Sequence, residues 1–70
     1  PDDMIAIGEV GLGGEVRNVT NLEYRLRESQ RMGFVRAVVP KYSLAQIDPK
    51  EFNTMELLGV TYVKQAIQLL

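Results

Sequence analysis

The chain has 70 residues, 46% of them apolar, and eight Lys and Arg against nine Asp and Glu, for a formal charge of −1. That is enough for one small domain with a marginal core, since a chain of this size buries only about 60% of the surface that its unfolded form exposes. The absence of cysteine and histidine excludes disulfides, thiolate or imidazole metal sites, cysteine nucleophiles and serine–histidine triads.

The apolar content argues for a globular domain, and no apolar run approaches the roughly 18 residues of a membrane span. The near-neutral charge gives no global pull toward nucleic acid or a membrane, so such partners must be read from local patches. The chain opens Pro1-Asp2-Asp3-Met4, with neither an initiator methionine nor a signal-peptide pattern, which predicts a fragment of a longer protein.

Met4-Ile5-Ala6-Ile7 running into Gly8-Glu9-Val10, and Glu15-Val16-Arg17-Asn18-Val19 with its alternation, read as two paired strands. Between them Gly11-Leu12-Gly13-Gly14 supplies the backbone freedom of a tight hairpin or bulge. Glycine-rich segments also cradle phosphates, but here no Lys-Ser/Thr pair follows and the segment leads into a strand, which favours the turn. Thr20-Asn21-Leu22-Glu23 fits a capping box, opening a helix that runs to about Met32 and stops at Gly33. Its spacing turns Leu22, Leu26 and Met32 inward, with Ser29 at a tight helix–sheet contact. Residues 34–39 form a β-branched, apolar run closed by Pro40, the pattern of a buried strand. Residues 41–53 read as a surface loop with one helical turn at 44–47. Residues 56–60 add a short strand, and Thr61 caps a last helix over 62–70, with Val63, Ile67 and either Leu70 or Ala66 on one face.

Few residues can carry chemistry. Glu9 and Glu15 flank the hairpin turn as a conceivable carboxylate pair, yet nothing else converges on them, and a hard cation wants several oxygens. Ser29 and Ser43 are the only serines, and neither lies in a Gly-x-Ser-x-Gly elbow. The local charge is more telling: Arg17, Arg25, Arg27, Arg31 and Arg36 stand against Glu23 and Glu28 between residues 17 and 36. Arg27 and Arg31 share a helix face and would reach adjacent phosphates. Glu23–Arg27 and Arg25–Glu28 are equally the pairs of an ordinary solvated helix. Both readings stand, a solvated face and a surface for DNA or a neighbouring subunit, because arginine suits each kind of interface. Tyr24 alone is no stacking platform.

Gly8-Glu9-Val10-Gly11-Leu12-Gly13-Gly14-Glu15-Val16-Arg17, then Leu22-Glu23-x-Arg25-Leu26-x-Glu28, then Arg31-Met32-Gly33-Phe34-x-Arg36-Ala37-Val38-Val39-Pro40, resembles the C-terminal Lon-protease-like domain of the bacterial RadA (Sms) DNA repair family. The match is close over residues 4–40, and residues 55–70 are similar to the family's last strand and helix. The resemblance implies an α/β fold, the C-terminal part of a Lon-protease-like domain arranged as hairpin, helix, strand, strand and helix. Residues 1–70 would be a single fragment of it, lacking the upstream half and the ATPase core. Lon proteases use a serine–lysine dyad, and the position matching that lysine is Glu23, which implies that this chain is not a peptidase.

For the longer protein the resemblance implies a cytoplasmic, DNA-dependent ATPase using ATP, magnesium and zinc, which assembles as a ring on DNA during recombinational repair. No cofactor is expected in the 70 residues themselves. The expected partners are DNA and further copies of the chain, with no membrane. The rival readings are the rear half of a Lon-type peptidase and a purely structural assembly module. A fragment lacking its upstream half would leave strand edges and apolar faces uncovered, which favours self-association.

Overall fold

The computed structural model describes residues 3–69. In chain order these form β1 (Met4–Ala6), β2 (Glu9–Val10), β3 (Val16–Arg17), α1 (Leu22–Arg31), β4 (Arg36–Pro40), two 3₁₀ turns (Lys41–Gln46 and Pro49–Phe52), β5 (Glu56–Val60) and α2 (Val63–Leu69). The result is a small α/β domain with a three-stranded parallel sheet, in the order β1-β4-β5, and a separate antiparallel pair, β2-β3.

The first apolar run is one segment in the sequence and two strands in space. Its start pairs with β4, Met4 opposite Arg36 and Ala6 opposite Val38, while Glu9 and Val10 turn away to pair with Arg17 and Val16. The break falls just after the Ile7 amide donates to the Val38 carbonyl at 2.9 Å. A Cβ at the next residue, Gly8, would stand 2.7 Å from Val16 Cγ1, so only glycine lets the hairpin fold back this closely.

The predicted capping box does not form. The chain enters α1 through Asn21 in the left-handed region (φ 60), without a side-chain cap bond, a conformation that asparagine tolerates. The Thr20 carbonyl accepts from Arg25 Nε at 3.1 Å instead. Leu22, Leu26 and Ser29 are buried as expected, and the Ser29 hydroxyl donates to the Arg25 carbonyl at 2.8 Å. Met32, expected inward, is 73% exposed because it sits at the C-cap, where Gly33 (φ 101) turns the chain out of the helix.

β4 is the central strand, and Ala37, Val38, Val39 and Pro40 are all buried. Pro40 belongs to the strand as its last residue, a place where proline's missing donor is tolerated. Alternation puts Ala37 and Val39 on one face and Val38 on the other. On the first face Ala37 and Val39 meet Leu22 and Leu26 of α1 together with Ile47, Phe52 and Met55, so both crossovers lie on the same side of the sheet.

The stretch 41–53, expected as a surface loop with one helical turn at 44–47, lies largely at the surface but also anchors the core. Ser43, Ile47 and Phe52, with Met55 just beyond, are buried, carried by two 3₁₀ turns whose spacing hides them from a search at helical period. Gly59 of β5 lets the first turn close in, because a Cβ there would lie 2.6 Å from Leu44 Cδ1 and 3.2 Å from Lys41 Cα. Gly59→Ala is expected to cost about 1–3 kcal/mol of overpacking, read as a lower denaturant midpoint at unchanged m.

The other face is thinly covered. Val38 and Val60 lie under Val10 and Val16 of the hairpin and Val63 and Ala66 of α2, around an apolar cavity of about 110 Å³. Two backbone bonds hold that cover: the Val16 amide donates to the Thr61 carbonyl at 2.7 Å and the Val63 amide to the Gly14 carbonyl at 2.9 Å. The turn into α2 is capped from within the helix, since Gln65 Oε1 accepts from the Thr61 and Tyr62 amides, in place of a Thr61 hydroxyl cap. Val63 and Ala66 face inward as expected, whereas Ile67 is 65% exposed; the expectation for Leu70 lies outside the described residues.

Candidate nucleic-acid and subunit interface

The five arginines lie on three elements, Arg17 on β3, Arg25, Arg27 and Arg31 on α1, and Arg36 on β4. Four are already ion-paired. Arg17 meets Glu15 at 2.7 Å, Arg31 meets Glu28 at 2.6 Å, and Arg36 holds both Asp3 oxygens at 2.9 and 3.1 Å. Arg27 is shared between Glu23 at 3.4 Å and Glu51 at 2.9 Å. The Glu51 contact, which ties α1 to the second 3₁₀ turn, has no local sequence signal, since it joins residues far apart in the chain. The expected Arg25–Glu28 pair is absent, because Glu28 turns to Arg31; Arg25 has no carboxylate partner among the described residues.

The α1 pairs are exposed, and such pairs are worth only about 0–1 kcal/mol each. Arg27 and Arg31, one turn apart, therefore hold exposed guanidinium groups in weak pairs, with Glu23, Glu28 and Glu51 beside them.

The Arg36–Asp3 pair has a different setting. It lies at the start of the sheet, where the Asp3 carbonyl also accepts from the Val35 and Arg36 amides at 2.9 and 3.2 Å. The Arg36 hydrogen bond holds the Asp3 carboxyl below its usual value, and Asp3 in turn raises Arg36. A depressed carboxylate stabilises the fold above its unfolded pKa and loses that contribution as pH falls through the folded one. Wild type is expected to melt above Asp3→Asn at neutral pH, with the gap closing below about pH 4, as followed by circular dichroism.

Glu9 and Glu15 do not form a pair. Glu15 folds over the hairpin turn, its carboxyl lowered by its own amide and by the Arg17 hydrogen bond, while Glu9 stands across the ladder from Arg17. Among the described residues no group of three or more acidic side chains could hold a metal ion. Both serines are buried and occupied in structure, Ser43 donating to Asn18 Oδ1 at 2.8 Å. Glu23 is exposed in the first turn of α1 and accepts from Arg27.

Two features escaped the sequence reading. Leu12, at the tip of the β2–β3 turn, is fully exposed. Between β1 and α1 lies an open cleft of about 380 Å³, lined by Ile5, Ile7, Val19, Tyr24 and Arg25 among others. Neither follows from local pattern, because each depends on where the hairpin leaves the sheet. Among the described residues no helix is long and apolar enough to cross a membrane.

No family model matches the chain. It is 46% identical over its full length to a DNA repair protein RadA from Chlamydia pneumoniae and 40% identical over its full length to one from Aquifex aeolicus. Over 89% of the chain it is 40% identical to a RadA from Streptococcus pyogenes serotype M3. It spans 16%, 15% and 13% of these relatives. From end to end, then, this chain is similar to a short segment of the DNA repair proteins named RadA.

Proposed function

We propose that this chain is a non-catalytic piece of a RadA-type, ATP-dependent DNA repair protein, one that contacts DNA and helps neighbouring subunits assemble into a ring. The observation that carries this reading is similarity to RadA proteins along the entire chain. On the same footing, the piece belongs to a Lon-protease-like domain of a cytoplasmic protein that works in recombination, and ATP, magnesium and zinc serve parts of that protein beyond these residues. Glu23 supplies a carboxylate where the serine–lysine dyad needs an amine, which supports a scaffold role over peptidase chemistry.

Arg27 and Arg31 are the preferred DNA contacts, being exposed, one turn apart and weakly held. Arg17, Arg25 and Arg36 take secondary places, for contact with DNA or a neighbouring subunit. A second reading, a purely structural assembly module, is favoured by the carboxylates that already answer four of the five arginines.

Fluorescence anisotropy of a labelled duplex, titrated with the chain at low and at physiological salt, separates the two. Salt-sensitive binding that Arg27→Glu/Arg31→Glu abolishes is the result expected of phosphate contact, since each contact releases counterions. Absence of binding at low salt would move DNA contact out of this chain and leave assembly as its role.

A further inference from the structure

A single exposed leucine is ordinary; Leu12 differs in how firmly it is presented. Its turn is closed by the Gly11 amide donating to the Glu15 carbonyl at 2.9 Å and the Gly14 amide to the Gly11 carbonyl at 3.0 Å. The Glu15 side chain lies across the turn, clasped by Arg17, so close that a Cβ at Gly11 would overlap Glu15 Oε1. The base of the hairpin is fastened to the segment leading into α2. A tip held this way loses little freedom on docking.

The hairpin's charges point to the kind of surface it fits. Glu15 is answered by Arg17, which leaves Glu9 exposed and outside any ion pair among the described residues. The β1–α1 cleft is the counterpart, with walls from Ile5, Ile7, Val19 and Tyr24. Arg25 and Glu28 stand at its edge; Glu28 is answered by Arg31, which leaves Arg25 as the α1 arginine without a carboxylate partner among the described residues. One patch is thus an apolar knob on a hairpin that carries an unpaired acid, and the other a largely apolar hollow whose edge carries an unpaired base.

We propose that the β2–β3 tip of one copy docks into the β1–α1 cleft of a second copy, Leu12 entering the cleft and Glu9 facing Arg25. The two patches are different surfaces of the same chain, so the contact is head-to-tail, the kind that closes into rings when the rotation permits. This rests on the ring-assembly reading and names the surface for it. A hairpin whose Glu9 and Glu15 outnumber Arg17 is a poor match for phosphate, which favours a protein partner over DNA at this tip.

The test is sedimentation velocity of the 70-residue chain over micromolar to millimolar concentrations, comparing wild type, Leu12→Asp, Arg25→Glu and Arg25→Glu/Glu9→Lys. Leu12 is fully exposed, so its substitution leaves the fold intact, as circular dichroism will verify. Wild type is expected to associate, Leu12→Asp to weaken association about tenfold or more, as loss of a central anchor does, and Arg25→Glu to weaken it less. The double variant is expected to recover most of what Arg25→Glu loses. Undiminished association of Leu12→Asp, or a double variant no better than Arg25→Glu, would overturn this contact and leave assembly by another surface. A wild-type chain that stays monomeric throughout would overturn both the contact and this chain's share in ring assembly.

Discussion

Phe52→Ala is expected to unfold most of the chain at room temperature. Phe52 is 1% exposed and packs in the cluster that joins β4, α1 and the 41–55 crossover. Removing a buried phenyl ring costs about 3–5 kcal/mol, part lost transfer energy and part cavity. The whole stability of a 70-residue chain, at about 0.05–0.15 kcal/mol per residue, is of the same order. The single 3₁₀ turn that carries Phe52 cannot collapse into the gap without dragging Ile47 and Met55 with it. Urea titration by circular dichroism checks this; a midpoint within a few tenths molar of wild type would mean that the crossover, not the helix side of the cluster, is dispensable.

Val38→Asp is expected to be at least as damaging, for another reason. Val38 is 2% exposed on the opposite face of β4, where its neighbours are Ala6, Val60, Val63 and Ala66 around an apolar cavity. A carboxylate there has no partner, and an unpaired buried charge costs several kcal/mol or forces its own neutralisation. Val38→Thr, nearly the same shape, is the graded control and should lose about 1–3 kcal/mol through its unsatisfied hydroxyl. A Val38→Asp chain that melts like wild type would show that the hairpin and α2 lift away from the sheet in solution. A melt that recovers toward wild type in acid, as the carboxyl protonates, would show that they stay.

Much of this architecture is readable in the sequence, and the failures have common causes. The 3.6-residue spacing of Leu22, Leu26 and Ser29 gives α1 and its buried face, and the β-branched run before Pro40 gives the central strand, because both signals are local and periodic. The residues 56–60 strand is placed to the residue. The split of the first run between two sheets is invisible, since Met4 to Val10 reads as one extended stretch and only the close approach of Gly8 to Val16 shows where it turns. The 41–55 crossover hides its buried residues behind 3₁₀ spacing and polar neighbours. Thr20 carries a capping signature that Asn21 overrides by taking the left-handed turn.

At the candidate interface the sequence yields the arginines and one of their partners, Glu23 for Arg27. It misplaces Glu28 and cannot foresee Glu51 or Asp3, whose pairings join residues 24 and 33 positions away. Local charge counting registers an excess of cations that the fold then neutralises with carboxylates from outside the counted window.

The all-parallel order of β1, β4 and β5 also sets how the chain must reach its native state. No two of these strands are joined by a tight turn, and Met4 has to find Arg36, and Arg36 Glu56, across whole crossovers. Such loop closures are entropically unfavourable before the contacts that reward them exist, so folding is slow for a chain this short. The β4–crossover–β5 unit has the shorter span and the larger share of the core, and it is the natural nucleus. β1 would then add last, leaving the edge of β4 and its valines open to other chains during the wait. Refolding yield should accordingly fall as protein concentration rises, and Ala37 and Val39 should slow folding when truncated, whereas changes in β1 should chiefly speed unfolding.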